Sequence, residues 1–234
     1  MLHFKVKFIF LLIFLWTVAL SPAQATVNRI EQSVFRITNF QQSPDWQSPW
    51  KLKPTGRGQG SGFLIKDDLI LTNAHVVSDS RMLLVNKISS PEPFLADVVA
   101  IAHDSDLALL KVRDSKFYLN LIPLKLGGIP ELRSRVRAYG YPMGGQELSR
   151  TEGVVSRIEF GTYVHPGIDS HLLVQTDSAI NPGNSGGPIT QSGKAIGVAF
   201  QSNLRLNDVG YFIPVPLITR FLNDVGYFIP VPLI

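Results

Sequence analysis

An all-β chain folded as two antiparallel barrels is predicted by three observations. Short β-rich runs follow one another from residue 60 to 113, and a second set runs from about 134 to 214. Gly, Pro, Asn and Asp divide the runs, and no helical pattern of roughly 10–15 residues separates them, which argues against βαβ units. The chain has 234 residues, 45% of them hydrophobic, with no cysteine, and that size suits one large all-β domain or two small ones. Residues able to carry chemistry fall on both sets. A site in the crevice between the barrels is therefore expected, as ligand clefts favour such places.

Taken in order, residues 1–25 read as a targeting segment, a signal peptide. Lys5 and Lys7 charge its start, Phe8 to Leu20 is an apolar run, and Ala23-Gln24-Ala25 is a small-residue cleavage site. The run is shorter than the roughly 20 residues of a membrane span, so no stable span is expected. Cleavage after Ala25 removes two lysines and no acid, so the net charge falls from +4 to +2. No basic stripe is clustered, and a nucleic-acid partner is not expected.

Residues 26–222 are assigned to the two barrels, about 30–113 and 134–214, with a closing helix. A first strand is expected over 31–39. Residues 40–59 lack periodicity and carry Trp46 and Trp50, so they read as a long surface loop, which is uncommon unless functional. Strands are expected at 60–66, 69–73, 81–87, 94–103 and 107–113, with one helical turn at 76–80. Residues 114–133 connect the barrels. The second set begins near 134 and continues at 151–158, 171–177, 187–191, 194–201 and 209–214. A helix over 214–225 would place Leu217, Ile218, Phe221 and Leu222 on one face.

The chain ends on a duplication: residues 207–218 recur unchanged as 223–234. One identical copy is not a solenoid repeat, which needs several similar units. The first copy supplies the last strand, and the second cannot enter the same register. Pro230 and Pro232 also remove ladder donors. Residues 223–234 are therefore set apart as a tail whose deletion is expected to leave folding intact.

The chemistry centres on Gly183-Asn184-Ser185-Gly186-Gly187-Pro188. Glycines let such a loop adopt unusual angles and expose a serine hydroxyl. The N–H groups of Gly183, Asn184 and Ser185 are candidates to converge as an oxyanion hole. A serine needs a base and a group that orients the base. His75 lies upstream in LTNAHVV, and Asp104 and Asp106 lie in DSDLALLKV. The order His, Asp, Ser is that of the chymotrypsin-like barrels. Strand alternation sends both aspartates to one face, so spacing alone does not choose between them. No histidine spacing suits a metal mechanism, and neither metal nor cofactor is expected.

The motifs GSGFLI (60–65), LTNAHVV (71–77), DSDLALLKV (104–112), GYPMGG (140–145), INPGNSGGPI (180–189) and VGYFIPVPLI (209–218) resemble those of HtrA-type (Deg) serine endopeptidases. The resemblance implies a chymotrypsin-like double β-barrel with a short C-terminal helix. It makes His75 the base, Asp106 the orienting acid and Ser185 the nucleophile. Unfolded proteins or peptides become the substrates and a homo-oligomeric trimer the assembly, while the leader, with cleavage after Ala25, makes the periplasm or the extracellular space the expected location. Ala179 stands six before the serine and Ile180 follows it; both are assigned to the primary pocket, with Phe212 narrowing it. No charge there pairs with Lys or Arg, so cleavage after small aliphatic residues is expected. The backbone of Ala199, Phe200 and Gln201 is assigned as the edge that pairs with substrate. The alternative is a non-catalytic, chaperone-like binder of unfolded chains.

Overall fold

The computed structural model describes residues 29–48, 50–88, 90, 92–163, 170–202 and 209–226; the leader and residues 227–234 lie outside them. Twelve antiparallel strands close two barrels. In the first, β1 (Val34–Gln41), β2 (Gly56–Ile65), β3 (Leu69–Thr72), β4 (Ser80–Lys87), β5 (Phe94–Ala102) and β6 (Leu107–Val112) are arranged in the order β1-β2-β3-β6-β5-β4. In the second, β7 (Arg135–Gly140), β8 (Ser149–Thr162), β9 (Ser170–Thr176), β10 (Pro188–Gln191), β11 (Lys194–Ser202) and β12 (Gly210–Pro214) are arranged as β10-β11-β12-β9-β8-β7. Among the described strands, closure leaves no free sheet edge.

Three apolar clusters hold this arrangement. Phe35, Ile37, Ile70, Leu110 and Phe117 fill the first barrel, and Val136, Val174, Ile189 and Phe212 fill the second. A third cluster, with Leu71, Leu109, Tyr139, Tyr163, Phe200 and Phe221, joins the barrels to the C-terminal helix. β3 and β6 thus bury both faces, Ile70 and Leu110 inward, Leu71 and Leu109 toward the neighbour. That is why LILT and LALL read as continuous apolar runs.

The expected strands recur with shifted ends. Residues 29–32 are helical, and β1 starts at Val34, not at 31. Ser33 sets the change of direction: its hydroxyl donates to the Ile122 carbonyl at 2.6 Å. The helical turn α1 spans Ala74–Val77, two residues earlier than expected. Residues 40–59 are no structureless loop, because β1 runs to Gln41, β2 starts at Gly56, and Pro44 bridges Leu52 between them.

Helix α2 (Val215–Asp224) buries Val215, Ile218, Phe221 and Leu222. Pro216 falls in its first turn, where a missing N–H costs nothing. The helix takes in Asn223 and Asp224, so the second copy of the duplication opens as a last helical turn. Gly210 of the first copy is in β12, whereas its counterpart Gly226 has φ +79° just past the helix. The harmless cut point moves accordingly. Deleting 227–234 is expected to shift Tm by less than about 2 °C. Deleting 223–234 removes the last turn and partly buried Val225, and is expected to lower Tm measurably. Melting of the two truncations side by side checks this.

Candidate active site

Asp106 sits in the turn before β6 with φ +52°, an uncommon conformation for a side chain with a Cβ. Three bonds fix it there. The Asn73 amide donates to its carbonyl at 2.9 Å, the His75 backbone N–H donates to Oδ1 at 2.9 Å, and His75 Nδ1 lies 2.7 Å from Oδ2. One carboxylate therefore caps α1 and grips the imidazole that α1 carries. A carboxylate only accepts, so the contact assigns the proton to Nδ1 and leaves a lone pair on Nε2. The His75 side chain is 32% exposed and that of Asp106 is 1% exposed. Asp104, the rival acid, is exposed and accepts from the Ser105 hydroxyl at 3.3 Å. Both aspartates lie in a turn, so strand alternation does not apply to them.

The serine loop is held by its carbonyls. The carbonyls of Asn181, Pro182, Gly183, Asn184 and Ser185 accept from Asn184 N–H (2.9 Å), Met143 N–H (2.8 Å), Ser61 Oγ (2.7 Å), Gly187 N–H (2.9 Å) and Ser61 N–H (2.8 Å). In a trans peptide the N–H points away from its carbonyl. Anchoring the Pro182 and Asn184 carbonyls therefore turns the N–H groups of Gly183 and Ser185 the other way. Among the described residues neither of these two has a protein acceptor. Gly183 reaches this arrangement at φ +99°, and a Cβ there would lie 2.4 Å from the Tyr141 carbonyl oxygen. Asn184 departs from its expected role, because its N–H closes the turn to Asn181. Two donors remain where three were expected.

Ser61 is not among the expected site residues, although it lies in the GSGFLI motif. It is fully buried on β2, and its N–H and hydroxyl stitch the barrels together. Besides the two bonds to the serine loop, its Oγ accepts from Tyr141 N–H at 2.8 Å and its carbonyl accepts from Thr72 Oγ1 at 2.7 Å. A serine between two glycines, just before a strand's apolar run, was the available signal. Ser61→Ala would orphan the Gly183 carbonyl and the Tyr141 N–H. It is expected to cost about 2 kcal/mol of stability. It should also lower kcat more than it raises KM, as read by melting and by steady-state kinetics.

The expected substrate-binding residues divide. Ala199 is excluded as a pairing edge: its N–H donates to the Gly187 carbonyl at 2.9 Å and its carbonyl accepts from Gly186 N–H at 2.7 Å. The β11–β12 register jumps from Ala199↔Phe212 to Gln201↔Tyr211, so Phe200 is a bulge residue. Bulges often re-aim groups beside active sites. Here the Phe200 carbonyl turns to Ser185, whose Oγ lies 3.4 Å away, while the ring packs on Tyr163 at 4.6 Å. Burial first, and the nearby Asp106 charge second, push the Tyr163 hydroxyl well above its usual pKa. It stays neutral and donates to the Leu172 carbonyl at 2.8 Å. Phe212 is corrected: it is fully buried in the second barrel against Gly197, not set to narrow a pocket. Ile180 is also buried, against Gly210, whereas Ala179 is exposed.

Residues 60–198 match the model of the trypsin-like peptidase domain. The mitochondrial protease Do-like 4 of Arabidopsis thaliana is 46% identical over 190 residues, covering 81% of this chain and 36% of that protein. A serine protease DegP homolog of Plasmodium falciparum is 40% identical over 179 residues, covering 76% and 20%. The chloroplastic protease Do-like 2 of Arabidopsis thaliana is 40% identical over 204 residues, covering 86% and 33%. The chain thus spans about a third or less of the length of these three relatives. Among solved structures, the active form of the Rv3671c protease from M. tuberculosis superposes with a TM-score of 0.71 at 25% identity, covering 90% of this chain and 89% of that one.

Proposed function

The chain belongs to the trypsin-like peptidase family, in its HtrA-type (Do-like) branch, and from that premise we propose that it is a serine endopeptidase of protein quality control, hydrolysing unfolded or damaged polypeptides. The observation that carries this reading is the 2.7 Å contact of His75 Nδ1 with buried Asp106. Through Ser61 the same barrel is bonded to a serine loop with two unengaged N–H groups.

Ser185 Oγ attacks the scissile carbonyl while His75 Nε2 takes its proton and then delivers it to the leaving amine. Asp106 keeps the proton on Nδ1 and stabilises the imidazolium as it forms. The developing oxyanion is met by the N–H groups of Gly183 and Ser185, aligned before the reaction begins. The Phe200 carbonyl receives an N–H of the extended substrate. Exposed, uncharged Ala179 at the pocket base favours small aliphatic residues before the cleaved bond.

A fluorophosphonate probe together with casein degradation tests the proposal. Labelling confined to Ser185 and casein turnover support it. Retention of unfolded casein without labelling or turnover favours the chaperone-like binder. Trimeric assembly belongs to the same proposal, with sedimentation as its check.

Residues 1–25 are proposed to direct export to the periplasm or beyond the cell. Two relatives carry mitochondrial and chloroplastic names, which makes organelle import the competing reading. Transit peptides are amphipathic and Arg-rich. This segment has no arginine and one apolar run broken only by Thr17, which favours export. No helix among the described residues is long and apolar enough to cross a membrane.

A further inference from the structure

We propose that the tip of the β1–β2 hairpin is a docking element that seats Trp46 and Trp50 in the headgroup region of an anionic lipid surface. Each indole is 82% exposed. They are not carried on a slack loop. Beyond the Gln41↔Gly56 pair the ladder continues: Lys53 N–H donates to the Ser43 carbonyl at 3.1 Å, Pro44 bridges Leu52, and Asp45 N–H donates to the Lys51 carbonyl at 3.3 Å. Within the tip, Ser48 N–H donates to the Asp45 carbonyl (3.1 Å) and Lys51 N–H to the Ser48 carbonyl (2.7 Å). The Asp45 carboxylate accepts from Gln47 N–H at 3.0 Å. Backbone bonds of the described residues thus hold two large rings in water, where nothing in the fold rewards them.

Two arguments select lipid as the occupant. The first is charge. Lys51, Lys53, Arg57 and Arg81 are exposed around the hairpin, and the acids beside them are Asp45 and Asp79, the latter holding the Ser43 hydroxyl at 2.6 Å. The balance is positive and complements anionic headgroups. The second is area. Two indoles bury at most roughly 500 Å², whereas a stable protein interface takes about 800 Å² from each partner. Interfacial anchoring needs only such a pair, because an amphipathic ring with an N–H suits the boundary between hydrocarbon and water. Trp50 and Ser61 are eleven residues apart along the hairpin and β2, at most roughly 36 Å. A docked tip would tether the cleft within that distance of the membrane surface. The inference stands on the hairpin alone and is independent of the catalytic reading.

In the full chain, Trp16→Phe leaves Trp46 and Trp50 as the only tryptophans, so their emission reports the tip directly. The protein is titrated with phosphatidylcholine vesicles, with and without phosphatidylglycerol, whose acyl chains carry bromine as a quencher. The expected result is blue-shifted, bromine-quenched emission on phosphatidylglycerol vesicles, weakened by salt. Lys51→Gln/Lys53→Gln should weaken the apparent affinity about twenty-five-fold, since each cation near the surface contributes about fivefold. Unchanged emission on vesicles that carry the protein would overturn the proposal. Equal quenching without phosphatidylglycerol and in the lysine variant would mean that charge does not select the surface, and would overturn the proposal of an anionic one. A blue shift that grows with protein concentration in the absence of lipid would assign the tip to a second copy of the chain instead.

Discussion

Ser185→Ala is expected to lower kcat by roughly 10⁶, and His75→Ala by about as much, because members of such a set act as a unit. The double variant should be no worse than either single one. The structure explains why the serine variant is a clean test. The loop is fastened through five carbonyls, and the partners are backbone N–H groups and the Ser61 hydroxyl. Ser185 Oγ itself makes a 3.4 Å contact with the Phe200 carbonyl, long for an O–H donor. Alanine should therefore fold with Tm nearly unchanged, keep the two N–H groups in place and still bind unfolded casein. Turnover of a fluorogenic peptide, measured beside melting, separates loss of chemistry from loss of fold. A fall of less than tenfold at unchanged Tm would mean that another group is the nucleophile.

Most of the fold was legible because closed antiparallel barrels write themselves as short runs broken by turn residues. Other features left no such trace. The 40–59 segment has no period because its ladder is held by backbone bonds around polar residues and outward-facing tryptophans. The start of β1 was misplaced because Ser33 turns the chain through a carbonyl nearly ninety residues away. The duplicated segment shows the limit most directly: Val-Gly of the same 12-residue copy leads into β12 once and ends α2 the second time. Tertiary packing overrides a short sequence's own preference. Of the candidate site, the side chains that carry chemistry stood out by type and order. The backbone did not: neither the engagement of Asn184 N–H and both Ala199 groups nor the bulge at Phe200 has a residue-type signature. The sequence assigns Phe212 to the pocket because it stands where the resembled family usually carries a small or aliphatic residue, whereas Gly197 makes room for it in the core.

Asp106→Asn is the more discriminating substitution and is expected to lower kcat by about 10⁴, the scale known for a mis-set histidine tautomer. Here the geometry says how the tautomer fails. The His75 backbone N–H is held by one carboxylate oxygen and Nδ1 by the other, at 2.9 and 2.7 Å. An asparagine has one oxygen, and the backbone donor claims it, since α1 would otherwise lose its cap. The amide NH₂ must then face Nδ1, which accepts, and the proton moves to Nε2, where the base needs a lone pair. Because the cap survives, stability should fall by less than about 1 kcal/mol. Asp106→Ala, which removes both bonds, should lose activity and lower Tm as well. Asp104→Asn should keep activity within about twofold, as an exposed substitution away from the imidazole. These three variants, each measured for kcat and Tm, test the carboxylate's two tasks separately. If Asp104→Asn were the crippling change and Asp106→Asn mild, the acid would be misassigned. If Asp106→Asn lowered Tm as much as Asp106→Ala, the amide oxygen would not be replacing the cap.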